Sequence, residues 1–182
     1  MPKADEVQAV HDLLFKNPKL KVFAVVDGAN APELTRRLAE WKPERSECLF
    51  AGQLEPELAE AAPHIVELDA DDDPMLLWLL ERGWGRGWCI FVRAEIDLKS
   101  VRRHLRTFLR VRSPDDEFVF FRYYDPRVFR DYLPSCNAEE AQTVFGALES
   151  YWMEAEDGIS IHAARKNGTG VQLSTHSIGG HD

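Results

Sequence analysis

Three short apolar runs set the limits on what this chain can become. They are Lys21-Val22-Phe23-Ala24-Val25-Val26-Asp27, His64-Ile65-Val66-Glu67-Leu68 and Trp88-Cys89-Ile90-Phe91-Val92. All three read as strands, and the first is nearly all apolar, as a strand buried on both faces should be. Helical spacing separates them. Val7, Val10, Leu13 and Leu14 form one stripe over residues 4–16, closed by Pro18. Pro32 and Glu33 open a helix whose Leu34, Leu38 and Trp41 share a face, and a short strand near 47–51 and a short helix at 56–62 follow. Asp73-Pro74 starts a helix that Met75, Leu76, Leu77, Leu79 and Leu80 make apolar over most of its surface, so it should be well buried. Such alternation predicts an α/β fold in a single domain, with a largely parallel or mixed sheet flanked by helices. Asp157-Gly158, between apolar runs at 148–154 and 159–163, adds a late β-hairpin. Residues 1–164 make up the domain. Residues 165–182 are polar and rich in Gly, Ser, Thr and His, which predicts a flexible tail.

The strongest local signal is Phe118-Val119-Phe120-Phe121-Arg122-Tyr123-Tyr124-Asp125-Pro126-Arg127-Val128. Its first four residues are aromatic or β-branched, as buried strands prefer. Asp125 can accept hydrogen bonds from the free N–H groups of a first helical turn, and Pro126 fits the first helical position, where no donor is missed. Arg122 and Arg127 flank this corner. Ahead of it, Val111-Arg112, the turn Ser113-Pro114-Asp115-Asp116, and 117–123 read as strand, turn, strand. Behind it, Pro134 ends the helix, and Asn137 with Glu140 makes a capping-box start for the next.

Charge narrows the function. The formal net charge is −9, with 31 acidic against 22 basic residues, which argues against broad nucleic-acid binding and against an anionic membrane surface. No apolar run has the length to span a bilayer, and residues 1–6 carry no signal-peptide core. The three cysteines, Cys48, Cys89 and Cys136, lack a CxxC spacing and read as reduced thiols of a cytoplasmic protein. The six histidines are dispersed and there is no Gly-x-Ser-x-Gly. Gly83-Trp84-Gly85-Arg86-Gly87 precedes a strand, whereas a phosphate cradle needs a helix after it, so it reads as a flexible turn. No cofactor is expected.

Two charged groups remain. Asp27 and the cluster Asp69, Asp71, Asp72 and Asp73 follow predicted strands, where open parallel sheets place ligands, so a metal-dependent hydrolase or phosphotransferase is one reading. The duller one is a turn aspartate and a solvated loop with a helix cap at Asp73. The second group is basic. Asp97 caps a helix whose apolar face is Leu98, Val101, Leu105, Phe108 and Leu109; from Arg93 to Arg112 seven Lys or Arg stand against Glu95 and Asp97. Arg102, Arg103 and Arg106 read either as a solvated helix face paired with local acids or as a contact face for the acidic surface of a protein partner or for nucleic acid.

The segment 121–128 resembles the Arg-Phe-Tyr-Asp-Pro-Arg signature of the type VI secretion effector adaptor/chaperones, the Tap or Tec family. Phe23-Ala24-Val25-Val26-Asp27-Gly28-Ala29, Cys48-Leu49-Phe50-Ala51-Gly52, Glu57-Leu58-Ala59, Ala62-Pro63-His64-Ile65-Val66 and the His104-Leu105-Arg106 helix resemble further blocks of that family in the same order. The resemblance covers residues 20–150. It implies a bacterial, cytoplasmic, non-enzymatic adaptor that binds a toxic effector and helps load it onto the VgrG spike. On that reading Arg122 and Arg127, with Arg102, Arg103 and Arg106, are candidates for protein contact. Asp27, Gly28, Tyr124, Asp125 and Pro126 are motif residues with structural roles.

Overall fold

The computed structural model describes residues 2–71, 73–112 and 115–179. In chain order the elements are α1 (Ala4–Phe15), β1 (Lys21–Val26), α2 (Leu34–Glu40), β2 (Ser46–Cys48), α3 (Pro56–Ala61), β3 (His64–Leu68), α4 (Pro74–Gly83), β4 (Cys89–Ala94) and α5 (Leu98–Leu105). They continue with β5 (Arg110–Arg112), β6 (Phe118–Phe120), α6 (Pro126–Tyr132), α7 (Ala138–Phe145), β7 (Leu148–Glu154), β8 (Ser160–Lys166) and β9 (Val171–Ser177). Seven strands form one sheet in the order β2-β3-β1-β4-β7-β8-β9, and β5 and β6 pair separately.

Period-two alternation puts two cores on the two faces of the large sheet. Phe23, Val25, Ile65, Ile90, Val92, Tyr151 and Met153 face α5, α6 and α7 through Val101, Leu105, Phe129, Val144 and Phe145. Val22, Ala24, Val26, Val66, Phe91, Trp152 and Ile161 face α1, α2 and α4 through Leu14, Leu34, Leu38, Leu76 and Leu79. Both faces of β1 are buried, which is why its sequence is a continuous apolar run.

The α/β class holds, with helices flanking the sheet, but a largely parallel arrangement does not. Every ladder among the described residues is antiparallel, including β1 with β3 and β1 with β4. Doubly buried strands normally signal a parallel sheet because βαβ crossovers bring the covering helices. Here the helices cover both faces of antiparallel strands, so the run of apolar residues reports burial and not direction.

The predicted tail is also corrected. Arg165 and Lys166 complete β8, and β9 pairs with β8 from Val171 to Ser177 as the outermost strand of the sheet. The turn between them is held by Asn167, whose Oδ1 accepts from the Thr169 and Gly170 N–H groups at 2.9 Å. Val171 and Leu173 pack on one core and Ile178 on the other. The polar composition belongs to an edge strand half turned to water. Residues 180–182 lie outside the described residues, as do Asp72 and the Ser113-Pro114 part of the predicted turn.

Strand β6 departs from expectation in burial. It exists as predicted, in register with β5 through Arg110↔Phe120, Val111↔Val119 and Arg112↔Phe118. Yet Phe118, Val119 and Phe120 are 57%, 42% and 53% exposed. Side-chain type makes the strand, whereas burial requires a second layer, and this hairpin stands off the large sheet without one. Burial begins one residue later, where Phe121 packs edge-on against Tyr123, Phe129 and Tyr132.

Candidate functional site

The corner that follows β6 is locked from several directions. The Asp125 side chain accepts from the Arg127 backbone N–H at 3.0 Å and so caps α6, whose first residue is Pro126. The same carboxylate takes a bidentate pair from the Arg127 guanidinium, Nε at 2.9 Å and Nη2 at 2.7 Å. Burial works to raise the Asp125 pKa, but the Arg127 hydrogen bonds outweigh it and hold the carboxyl below the usual aspartate value. Arg122 reaches back to the end of β1 and pairs with Asp27, which is 1% exposed and also accepts the Ala29 N–H at 3.1 Å. Tyr124 is buried beside this pair, and desolvation together with the Asp27 charge pushes its hydroxyl up to about 12. Tyr123 is fully buried and donates to the Leu105 carbonyl at 3.1 Å, tying the corner to α5.

Gly28 is set by close packing. A Cβ there would lie 2.4 Å from the Ala62 carbonyl oxygen and 2.7 Å from that of Glu60, both backbone atoms. The glycine therefore lets the end of β1 meet the end of α3.

Sequence reasoning missed one further tie at this corner. Glu154, ending β7, accepts the N–H groups of Gly85 at 2.6 Å and Gly87 at 3.2 Å, so the loop 83–87, expected to be a flexible turn, is fastened down. Gly87 has φ +68°, and a Cβ on it would meet the Arg127 guanidinium at 2.9 Å. Arg130 of α6 donates to the Glu154 carbonyl at 3.0 Å and to Glu156. Burial raises the Glu154 carboxyl above its ordinary range despite the two glycine N–H groups and the nearby Arg130 and Arg127. The glycines were visible in the sequence; the glutamate that grips them, some seventy residues on, carried no local signal.

The carboxylates of the enzyme reading are not brought together. Because β1 and β3 are antiparallel, with Val26 opposite His64 and Val22 opposite Leu68, Asp27 and Asp69 lie at opposite ends of the sheet. A strand of five residues separates them by roughly 15 Å. Asp69 pairs with Lys42 and Arg45, and Asp73 caps α4 through the Met75 and Leu76 N–H groups while accepting from the Asp69 N–H. Among the described residues no group of three or more His, Cys, Asp or Glu is placed to hold a metal ion.

The α5 arginines divide. Arg102 turns inward: its Nε donates to the Cys48 carbonyl at 2.7 Å and lies 3.5 Å from Glu47, bracing the helix against β2. Arg103 and Arg106 are exposed and make no ion pair among the described residues. Burial pushes the Cys48 thiol up, while the charges of Arg102 and Arg106 pull the other way. Two residues past Cys48, Phe50 meets Phe120 of the hairpin, ring centroids 4.9 Å apart. The Arg110 guanidinium lies over the Phe118 and Phe120 rings at 5.1 and 5.9 Å, and Arg112 over Phe118 at 4.8 Å. No helix of the described residues is long and apolar enough to cross a membrane.

These features define a mixed α/β protein whose charged motif is spent on bracing a corner and whose exposed cations and aromatics gather nearby. The chain belongs to the family described as a domain of unknown function, DUF4123, whose model matches residues 22–143. No curated protein and no solved structure matches the chain.

Proposed function

We propose that this protein is a non-enzymatic adaptor of type VI secretion, which binds a toxic effector in the bacterial cytoplasm and helps load it onto the VgrG spike. The matched region, 22–143, contains every block that resembles the adaptor/chaperone family, from Phe23–Ala29 to the Phe121–Val128 corner. The observation that carries the reading is how the motif charges are used. Arg122 and Arg127 are each paired with a buried carboxylate, Asp27 and Asp125, so the signature is a scaffold joining β1, α6 and the 83–87 loop. Arg103 and Arg106, exposed and without an ion pair among the described residues, lie outside the signature, on a chain of net charge −9. A cationic face on an acidic protein suits the capture and orientation of one chosen protein partner more than broad polyanion binding. Binding is stoichiometric in this scheme, and release occurs at spike assembly.

Co-expression of the tagged full chain with whichever candidate toxin and spike proteins are encoded beside its gene tests the reading. A stoichiometric complex with the toxin, weakened by Arg103→Glu with Arg106→Glu and by added salt, is the expected result. Recovery of neither protein overturns it.

A further inference from the structure

We infer that the Phe118/Phe120 face of the β5–β6 hairpin is a docking surface for an acidic amphipathic segment of a protein partner, one that sets apolar side chains between carboxylates. Phe118 and Phe120 point to one side of β6, directly across from Arg112 and Arg110, so two phenyl rings and two guanidinium groups share one face. Both rings remain more than half exposed although the large sheet offers two complete cores. A two-stranded hairpin is marginal in water by itself, and among the described residues Phe50 is the ring of the main body that meets this face. Consecutive exposed Phe, Val and Phe stand apart from the remaining exposed large apolar residues Leu58, Leu77, Val128 and Ile159, which are scattered along the chain.

Charge complementarity names the occupant. Arg110 makes no ion pair among the described residues and lies over both rings, as Arg106 and Arg103 of the adjoining helix are also without one. Arg112 is already paired with Asp116. A partner that covered only the phenyl rings would strip water from the Arg110 guanidinium and leave it unmatched. Carboxylates flanking the apolar side chains satisfy the cation as the rings are buried, which is the arrangement of an energetic centre with a polar rim. A second copy of this chain docked patch to patch would bring like guanidinium groups together, since a two-fold contact pairs identical surfaces.

The surface rests on the adaptor reading only for the identity of its partner, and a probe without any effector separates the two. A fluorescent amphipathic peptide of Leu and Glu, its Glu→Lys counterpart and a scrambled version are titrated against the full chain, alongside phosphatidylglycerol vesicles. The Leu/Glu peptide is expected to bind at least about tenfold more tightly than the other two, with Phe118→Ser and Arg110→Glu each losing that preference and unfolding at the temperature of the parent. Equal binding of all three peptides, binding of vesicles in place of the peptide, or self-association abolished by Phe118→Ser overturns the inference. Peptide preference without a toxin complex leaves the docking surface standing and removes the adaptor reading; a toxin complex indifferent to Phe118→Ser and Arg110→Glu does the reverse.

Discussion

At the residue scale the Asp27–Arg122 pair is asymmetric. Asp27 is 1% exposed and the Arg122 side chain 45%, so the two partners do not cost the same when lost. Arg122→Ala strands a buried carboxylate and is expected to destabilise by about 3–5 kcal/mol. Asp27→Asn leaves a neutral amide, frees Arg122 to turn to water, and should cost about 1–2 kcal/mol. Urea unfolding of the two variants checks the order, and equal losses would contradict it. Two carboxyls of the same corner have opposite pH signatures. Burial raises Glu154, so the folded state holds that proton more tightly than the unfolded chain; its contribution is full below the ordinary glutamate value and is lost as pH rises through the raised one. Asp125, held low by Arg127 against its burial, contributes stability above the ordinary aspartate value and loses it as pH falls through the lowered one. Glu154→Gln should therefore flatten the decline on the neutral side of the stability profile and Asp125→Asn the loss on the acid side. Urea midpoints measured from acid to neutral pH give both. The capping role of Asp125 was legible because Asp-Pro is a local signal; its bidentate grip on Arg127 and the reach of Arg122 to Asp27 depend on side-chain directions set by packing.

Among the elements, helix starts were the most legible. Asp73, Asp97, Asp125 and Asn137 each accept first-turn N–H groups as their spacing implied. Strand existence was nearly as clear, and strand burial was not. Phe118 and Phe129 are the same residue type eleven positions apart, the first 57% exposed and the second fully buried against Tyr151 with centroids 4.9 Å apart. Phe129→Ala should cost about 3–5 kcal/mol, whereas Phe118→Ser should stay within about 0.5 kcal/mol. Thermal unfolding of both variants separates an outward-facing hairpin from a buried strand. Gly28→Ala belongs to the junction of β1 with α3. Because the added Cβ meets backbone oxygens that cannot swing aside, a loss of about 1–3 kcal/mol is expected in the same assay.

For the whole molecule, strand direction decides which residues are neighbours. In a parallel sheet Asp27 and Asp69 would stand at one edge; the antiparallel register sends them to opposite ends, and the enzyme reading loses its constellation. The third strand of the late meander matters in the same way. A chain ending at Lys166 would leave β8 as a bare edge and remove Val171, Leu173 and Ile178 from the two cores. Such a truncation should unfold at a clearly lower temperature and aggregate on heating, as scanning calorimetry and light scattering would register; an unchanged transition would mean that β9 adds nothing. The sequence by itself determined the α/β class, most of the elements, the helix caps at Asp73, Asp97, Asp125 and Asn137, and the segments that carry the family signature, because these rest on periodicity and on hydrogen bonds within a few residues. Only the tertiary structure decided the direction of the strands, the fate of the polar C-terminal stretch, the partners of Arg122, Arg102 and Glu154, and the exposure of Phe118 and Phe120. Each of those depends on contacts between residues far apart in the chain, and no local pattern encodes which distant segment will arrive.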